Sequence, residues 1–298
     1  MNQSQSDADV DVQTAGRTDT GKRRSHNEDA FAVRCDLGLY VVADGMGGAQ
    51  AGEVAASMVT QVLPLHVAAH PHAYYGAAEA MAKWLGTTLN GLSHKVHEQS
   101  QQVDHLRGMG ATVVACLIRS GTAALSHMGD SRAYMLRAGA LERLTEDHTL
   151  AEILLKLGHI SKADARKHPG RQVVTRYVGM EGEALPDVGL LELERDDVLL
   201  LCSDGLTNMV SDRAIGEMLL GEPDLAMACE HLIEAANGAG GEDNITALLI
   251  RYGEAHEIGK GDKKVTVRRA VGRSIRPLAW EPPGIDDPQT HEQQGPAE

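Results

Sequence analysis

The chain has 298 residues, 42% of them hydrophobic and only 3% aromatic, and its 28 Lys and Arg stand against 42 Asp and Glu for a formal net charge of −14. That is enough for one large domain with a core of Leu, Val, Ile, Ala and Met, and an acidic balance of this size argues against nucleic acid or anionic membrane as a partner. The four cysteines (Cys35, Cys116, Cys202, Cys229) form no CxxC pair, which argues against a zinc knuckle or thioredoxin-type motif and fits free thiols in a reducing cytoplasm.

Residues 1–11 are polar and acidic, lack the apolar core of a signal peptide, and are expected to be disordered. No apolar run approaches a membrane span. Short strands are expected at 12–18, 30–35 and 39–43. Gly47, Gly48 and Gly52 then open a helix over 53–63, with Pro64 marking its end or a kink. A second helix is expected over 74–101, where Ala77, Met81, Trp84, Leu85 and Leu89 share one face. Strands at 111–118, 123–128, 133–136 and 141–144, joined at Ser120-Gly121 and Ala138-Gly139, read as an antiparallel meander. Residues 147–176 are polar and helical, with Ser161 and Asp164 spaced as a capping box, and read as a flap inserted over a site. Strands resume at 188–193 and 198–202. Helices follow at 212–220 behind Ser211 and 224–236 behind Pro223, and 245–252 is the last core strand. From 254 a basic stretch (Lys260 to Arg276) gives way to a Pro-, Gln- and acid-rich end, so 254–298 is expected to be a disordered tail behind a catalytic domain at 12–253. Strands and helices in this order suggest an α+β sandwich.

Four carboxylates sit at the ends of apolar, strand-like runs with glycine beside or near them: Asp44, Asp130, Asp204 and Asp243. Glu28 and Asp29 form a fifth acidic cluster just after Arg24. A carboxylate at the end of a buried strand is costly unless it is paired or coordinated. Several together, without a matching set of Lys or Arg, point to divalent cations, and all-oxygen ligands favour Mg2+ or Mn2+ over zinc. Taken singly, Asp-Gly and Asp-Asn are turn residues, and Gly129-Asp130-Ser131-Arg132 also fits a hairpin turn with Arg132 as partner charge.

Six segments occur in order: Arg24-Ser25-His26-Asn27-Glu28-Asp29, Ala43-Asp44-Gly45-Met46-Gly47-Gly48, Gly108-Met109-Gly110-Ala111-Thr112, Gly129-Asp130-Ser131-Arg132, Ser203-Asp204-Gly205-Leu206 and Asp243-Asn244-Ile245-Thr246. Together they resemble the metal-dependent Ser/Thr protein phosphatases of the 2C type, the PPM family, in their compact bacterial form, over about 15–251. The resemblance implies a four-layer sandwich, two central antiparallel sheets flanked by helices, with the metals in a cleft at one end. It implies two divalent cations, Mn2+ or Mg2+, and a weaker third. Asp44 would bridge the pair, the Gly45 carbonyl would bind the second, and Asp204 and Asp243 would bind the first. Asp130 and Asp204 would take the third. Glu28 and Asp29 would hold metal-bound waters, and Arg24 would bind phosphate. The catalytic set is then Arg24, Asp44, Asp204 and Asp243. The activity implied is hydrolysis of phosphoserine and phosphothreonine on proteins by a metal-bridging hydroxide, opposing a bacterial Ser/Thr kinase; the chain is expected to be a cytoplasmic monomer.

His148, in a Thr-x-Asp-His segment that the family shares, is expected to pack between core and flap rather than act in catalysis. Met46 stands where many eukaryotic members carry a His proposed as general acid, so the proton donor is open. Two other readings are weighed. A non-catalytic binding module should have lost a metal aspartate, and none is lost. A nuclease is disfavoured by the charge and the lack of a basic cleft motif.

Overall fold

In the computed structural model, which describes residues 12–47, 51–71, 77–165, 167–253, 266–268 and 274–279, the long apolar runs are strands buried on both faces. One sheet has the order β1 (Val12–Asp19), β10 (Ile245–Tyr252), β9 (Val198–Cys202), β6 (Arg132–Arg137), β7 (Ala140–Arg143), β11 (Thr266–Arg268). The other has the order β12 (Ile275–Pro277), β8 (Asp187–Glu192), β5 (Thr122–Met128), β4 (Gly110–Arg119), β3 (Leu39–Met46), β2 (Asp29–Arg34). Neighbours are antiparallel except β11, which runs parallel to β7.

The period of two in each strand sorts its side chains between two cores. Along β3, Leu39, Val41 and Ala43 face a helical layer of α1 (Ala51–Ala69) and α2 (Ala78–Gln102), while Tyr40 and Val42 face the opposite sheet. Along β9, Val198, Leu200 and Cys202 face α6 (Asp212–Gly221) and α7 (Leu225–Gly238), while Leu199 and Leu201 face the first group's partners between the sheets. Three apolar cores between four layers result. This is the expected sandwich.

The supposed meander is not one. β4 and β5 pair in one sheet, but β6 pairs with β9 in the other, and the chain changes sheets through Gly129–Ser131. Within this stretch the true two-residue hairpin turns are Ser120-Gly121 (φ 45° and 80°) and Ala138-Gly139 (φ 48° and 76°), where both central residues are left-handed, as a twisted hairpin requires. Helix α1 does not stop at Pro64 but continues to Ala69. Burial of Leu63, Pro64 and Val67 outweighs the one backbone hydrogen bond that proline removes.

The segment after Gly253, expected to lack structure, contributes β11 and β12. Ser274 donates through its backbone N–H and hydroxyl to both oxygens of buried Glu142 (3.1 and 2.7 Å). Ile275 is buried beside Gly189, where a Cβ would come within 2.6 Å of its Cδ1. Arg276 pairs with Glu79 of α2 at 2.6 Å. Strands of three residues carry no readable periodicity, and edge pairing with a neighbouring sheet leaves no mark in composition. The disorder expected for 1–11, and for 254–265, 269–273 and 280–298, lies outside the described residues. Among the described residues, no helix is long and apolar enough to cross a membrane.

Candidate metal centre and phosphate site

The register of β2 and β3 sets Asp29 directly opposite Asp44, and Thr112 of β4 faces Asp44 from the other side. Asp44 continues the Tyr40–Val42 face, so its carboxylate lies where the core between the sheets opens at their ends. Asp130 sits in the crossover between sheets. Asp204 starts the one-turn helix α5 (Asp204–Thr207) at the end of β9, and Asp243 lies two residues before β10. Five segments from both sheets thus deliver the carboxylates to one end of the sandwich.

The electrostatics are those of like charges crowded together. Burial, then Asp29, Asp204, Asp130 and Asp243, push the Asp44 carboxyl well above the usual range. Burial, then Asp204 and Asp147, do the same to Asp130, with Arg132 opposing. Asp204 is raised by burial and Asp243, against the hydrogen bond that Asn208 donates to it. Burial pushes Asp29 to about 7, although the Ser203 and Thr246 hydroxyls both donate to its Oδ2 at 2.7 Å. Cations would reverse each of these effects. Oδ1 of Asp29 and Oδ1 of Asp204 are buried without a hydrogen-bond partner. Unfilled carboxylate oxygens aimed among other carboxylates suit hard divalent cations, and Asp44, Asp130, Asp204 and Asp243 could supply the ligands.

Gly45 and Gly52 let the end of β3 meet the start of α1. A Cβ on Gly45 would lie 2.1 Å from the Gly52 carbonyl oxygen, and one on Gly52 would lie 2.9 Å from Glu28 Oε1. The Gly45 N–H donates to the Glu28 carbonyl at 3.1 Å. Arg24 reaches Asp243, Nη2 to Oδ2 at 2.9 Å, with its side chain half exposed at the rim. The expected set is therefore brought together: Arg24, Glu28, Asp29, Asp44, Gly45, Asp130, Asp204 and Asp243.

Several supports went unassigned at the sequence level. Asn244 accepts the Glu28 N–H at 2.8 Å and donates to the carbonyls of Thr20 and His26, both at 2.9 Å, tying down the segment that carries Arg24. Asn208 donates to Asp204 Oδ2 at 2.8 Å. The Ser131 and Thr112 hydroxyls meet at 2.7 Å. Ser131, Thr112, Ser203, Asn244 and Thr246 all stand inside the quoted motifs, which was the available signal. Asn208, four residues after Asp204 on one helical face, had none beyond that spacing. Met46 ends β3 half-buried near this site. His148 is buried (3% exposed).

Residues 18–249 match the family model described as Protein phosphatase 2C. The serine/threonine phosphatase stp of Listeria monocytogenes is 39% identical over 237 residues, covering 78% of this chain and 93% of that protein. The solved serine/threonine phosphatase of S. agalactiae superposes with a TM-score of 0.75 at 35% identity, over 82% of this chain and 100% of that one. The catalytic domain of the serine/threonine protein phosphatase PstP, solved in complex with 2 manganese ions, gives a TM-score of 0.69 at 33% identity, over 82% of this chain and 99% of that one.

Proposed function

Because the chain belongs to the protein phosphatase 2C family and is a metal-dependent serine/threonine protein phosphatase, we propose that it opposes a bacterial Ser/Thr kinase in the cytoplasm, with Asp44, Gly45, Asp204 and Asp243 holding two divalent cations. Mn2+ and Mg2+ both suit these oxygens, and Asp130 with Asp204 would hold a weaker third. When bound, such cations supply a nucleophile from water at neutral pH and offset phosphoryl charge.

The chain's own residues do the rest. Arg24 offers a planar, two-pronged grip to phosphate oxygens, and Asp243 holds it in place before substrate arrives. Asn244 fixes the loop that carries it. Asp29, held by Ser203 and Thr246, and Glu28, packed on Gly52, orient water at the carboxylate cluster. The Met46 thioether has no proton to give and His148 is buried, so the leaving alkoxide takes its proton from water. Four of the six exposed large apolar side chains among the described residues (Leu150, Ile153, Leu157, Val173) lie in the flap. Exposed Lys162 and Lys167 accompany them. An apolar and basic flap supports contact with the protein around a phosphorylated residue.

The observation that carries this reading is the convergence of five aspartates with the buried Oδ1 of Asp204 unpartnered. Its test is phosphate release from defined phosphoserine and phosphothreonine peptides with chelator and after adding back Mn2+ or Mg2+. Activity lost and then restored is expected. Undiminished release in chelator would overturn it.

A further inference from the structure

The Gly129-Asp130 and Asp147-His148 segments, separate in sequence, meet in space. Gly129 turns the chain from β5 into the other sheet at φ 105°, and a Cβ there would come within 2.5 Å of Thr112 Cβ. Both backbone polar groups of Gly129 go to His148. The Gly129 N–H donates to His148 Nδ1 at 3.2 Å, and the Gly129 carbonyl accepts the His148 N–H at 2.9 Å. On the far side of Asp130, the Ser131 hydroxyl is tied to Thr112. Asp130 is therefore strung between two anchored neighbours, one of which depends on His148.

The imidazole packs among polar neighbours. Since Nδ1 accepts, the ring proton sits on Nε2, 3.3 Å from Asp187 Oδ2 but not aligned for a hydrogen bond with it. Arg176 holds the other Asp187 oxygen at 2.7 Å. The His127 ring stacks on His148 with centroids 4.6 Å apart, and its Nε2 donates to the Glu146 carbonyl at 2.8 Å. His127, His148 and Asp187 have ligand atoms within 4.8 Å of one another, the spacing of a metal site. His148 Nδ1 is already taken by the Gly129 N–H and one Asp187 oxygen by Arg176, so the cluster is engaged in structural contacts. The His148 carbonyl also accepts the Thr175 N–H at 2.8 Å, and Thr149 bridges to Val174, so the two legs of the flap close on this residue.

We propose that His148 is a positioning residue that aims Asp130 by holding both backbone groups of Gly129, and so sets the affinity of the cation that Asp130 binds. This rests on the reading of Asp130 as a cation ligand. The test is a Mn2+ titration of the metal-free full-length chain, followed by calorimetry and by loss of the free Mn2+ spin-resonance signal, for wild type, Asp130→Ala, His148→Ala and His148→Asn. Removing a group that orients a ligand typically weakens a site by roughly 10–100-fold. His148→Ala is expected to reproduce the Asp130→Ala isotherm, with the weakest Mn2+ class weakened by about that factor and the tighter sites unmoved. His148→Asn, whose Oδ1 can still accept from Gly129, recovers part of the loss; it also serves if His148→Ala does not fold. A merely packing role would lower Tm and leave the isotherm alone. A wild-type isotherm for His148→Ala, or for His148→Asn with no intermediate loss where Ala is unfolded, overturns the proposal while the phosphatase reading stands. A wild-type isotherm for Asp130→Ala would remove its premise and overturn it as well.

Discussion

Two sets of buried aspartates in this molecule behave in opposite ways. Asp147 accepts both prongs of Arg132 (2.9 and 2.7 Å) and a third bond from Arg143, and although burial works to raise it, Arg132 and Arg143 hold it below the usual carboxylate range. Asp197, 1% exposed, is gripped by Arg137 and by the Glu194 N–H. Asp29, Asp44, Asp130 and Asp204 face one another instead, and all four are pushed up. The paired carboxylates hold the sandwich together. The crowded ones strain it, and the cost makes sense only if cations complete them.

The two sets should part most widely under substitution. Asp44→Asn is expected to cut turnover roughly 10²–10³-fold or more while the metal-free fold holds or gains stability. Asp147→Ala should instead strip Arg143 of its carboxylate partner and leave Arg132 with only Tyr134 and the longer 3.9 Å contact to Asp212, at about 3–5 kcal/mol of folding free energy. Steady-state kinetics with denaturant melts of both variants checks this. Similar stability losses in the two would erase the distinction.

Glu142 is a third kind of buried carboxylate, satisfied only by the tail residue Ser274 among the described residues. Truncation after Glu254 is therefore expected to cost about 3 kcal/mol or more, from the lost burial of Ile275 and the stranded acid. Glu142→Leu in the truncated protein should recover part of it. Thermal melts of the three chains decide, and an unchanged Tm on truncation would show that the clasp carries no weight.

Arg24 lies between the two sets, a cation held by a crowded aspartate. Arg24→Ala should lower kcat/KM by roughly 2–4 kcal/mol of transition-state stabilisation, and Arg23→Ala by far less. Equal losses would show that the wrong arginine has been chosen.

The smallest effect is expected in the flap. Leu157→Ser should lower phosphoprotein turnover about fivefold, the scale of a ~1 kcal/mol interface contact, and spare a small aryl phosphate. Parallel losses on both substrates would make the flap part of the reacting centre.

The sequence made the carboxylates legible because Asp44, Asp130 and Asp204 sit where an apolar run stops and Asp243 just before one starts, and the strand runs themselves were legible because they are buried on both faces. The crossover at Gly129–Ser131 was not, since a short link between two strands reads as a hairpin whether or not it changes sheets. The clamp of His148 on Gly129 and of Asn244 on the Glu28 and His26 backbone joins residues far apart in sequence through backbone groups that every residue carries. β12 was hidden by its length and its basic surroundings.

The central claim, that the aspartate cluster is left unpaired for cations, is tested most directly by thermal melts of wild type and Asp44→Asn from pH 5 to pH 8, without metal and with Mn2+. A carboxyl whose folded pKa is raised binds protons that the unfolded chain has released, so its contribution to stability falls as pH rises from about 4 through its folded value, which for Asp29 is about 7. Without metal, Asp44→Asn should melt above wild type, by a margin that widens towards pH 8. Adding Mn2+ should stabilise wild type most at pH 8 and reverse the order. A metal-free Asp44→Asn that melts below wild type at every pH, or a wild type that Mn2+ does not stabilise, would contradict the account.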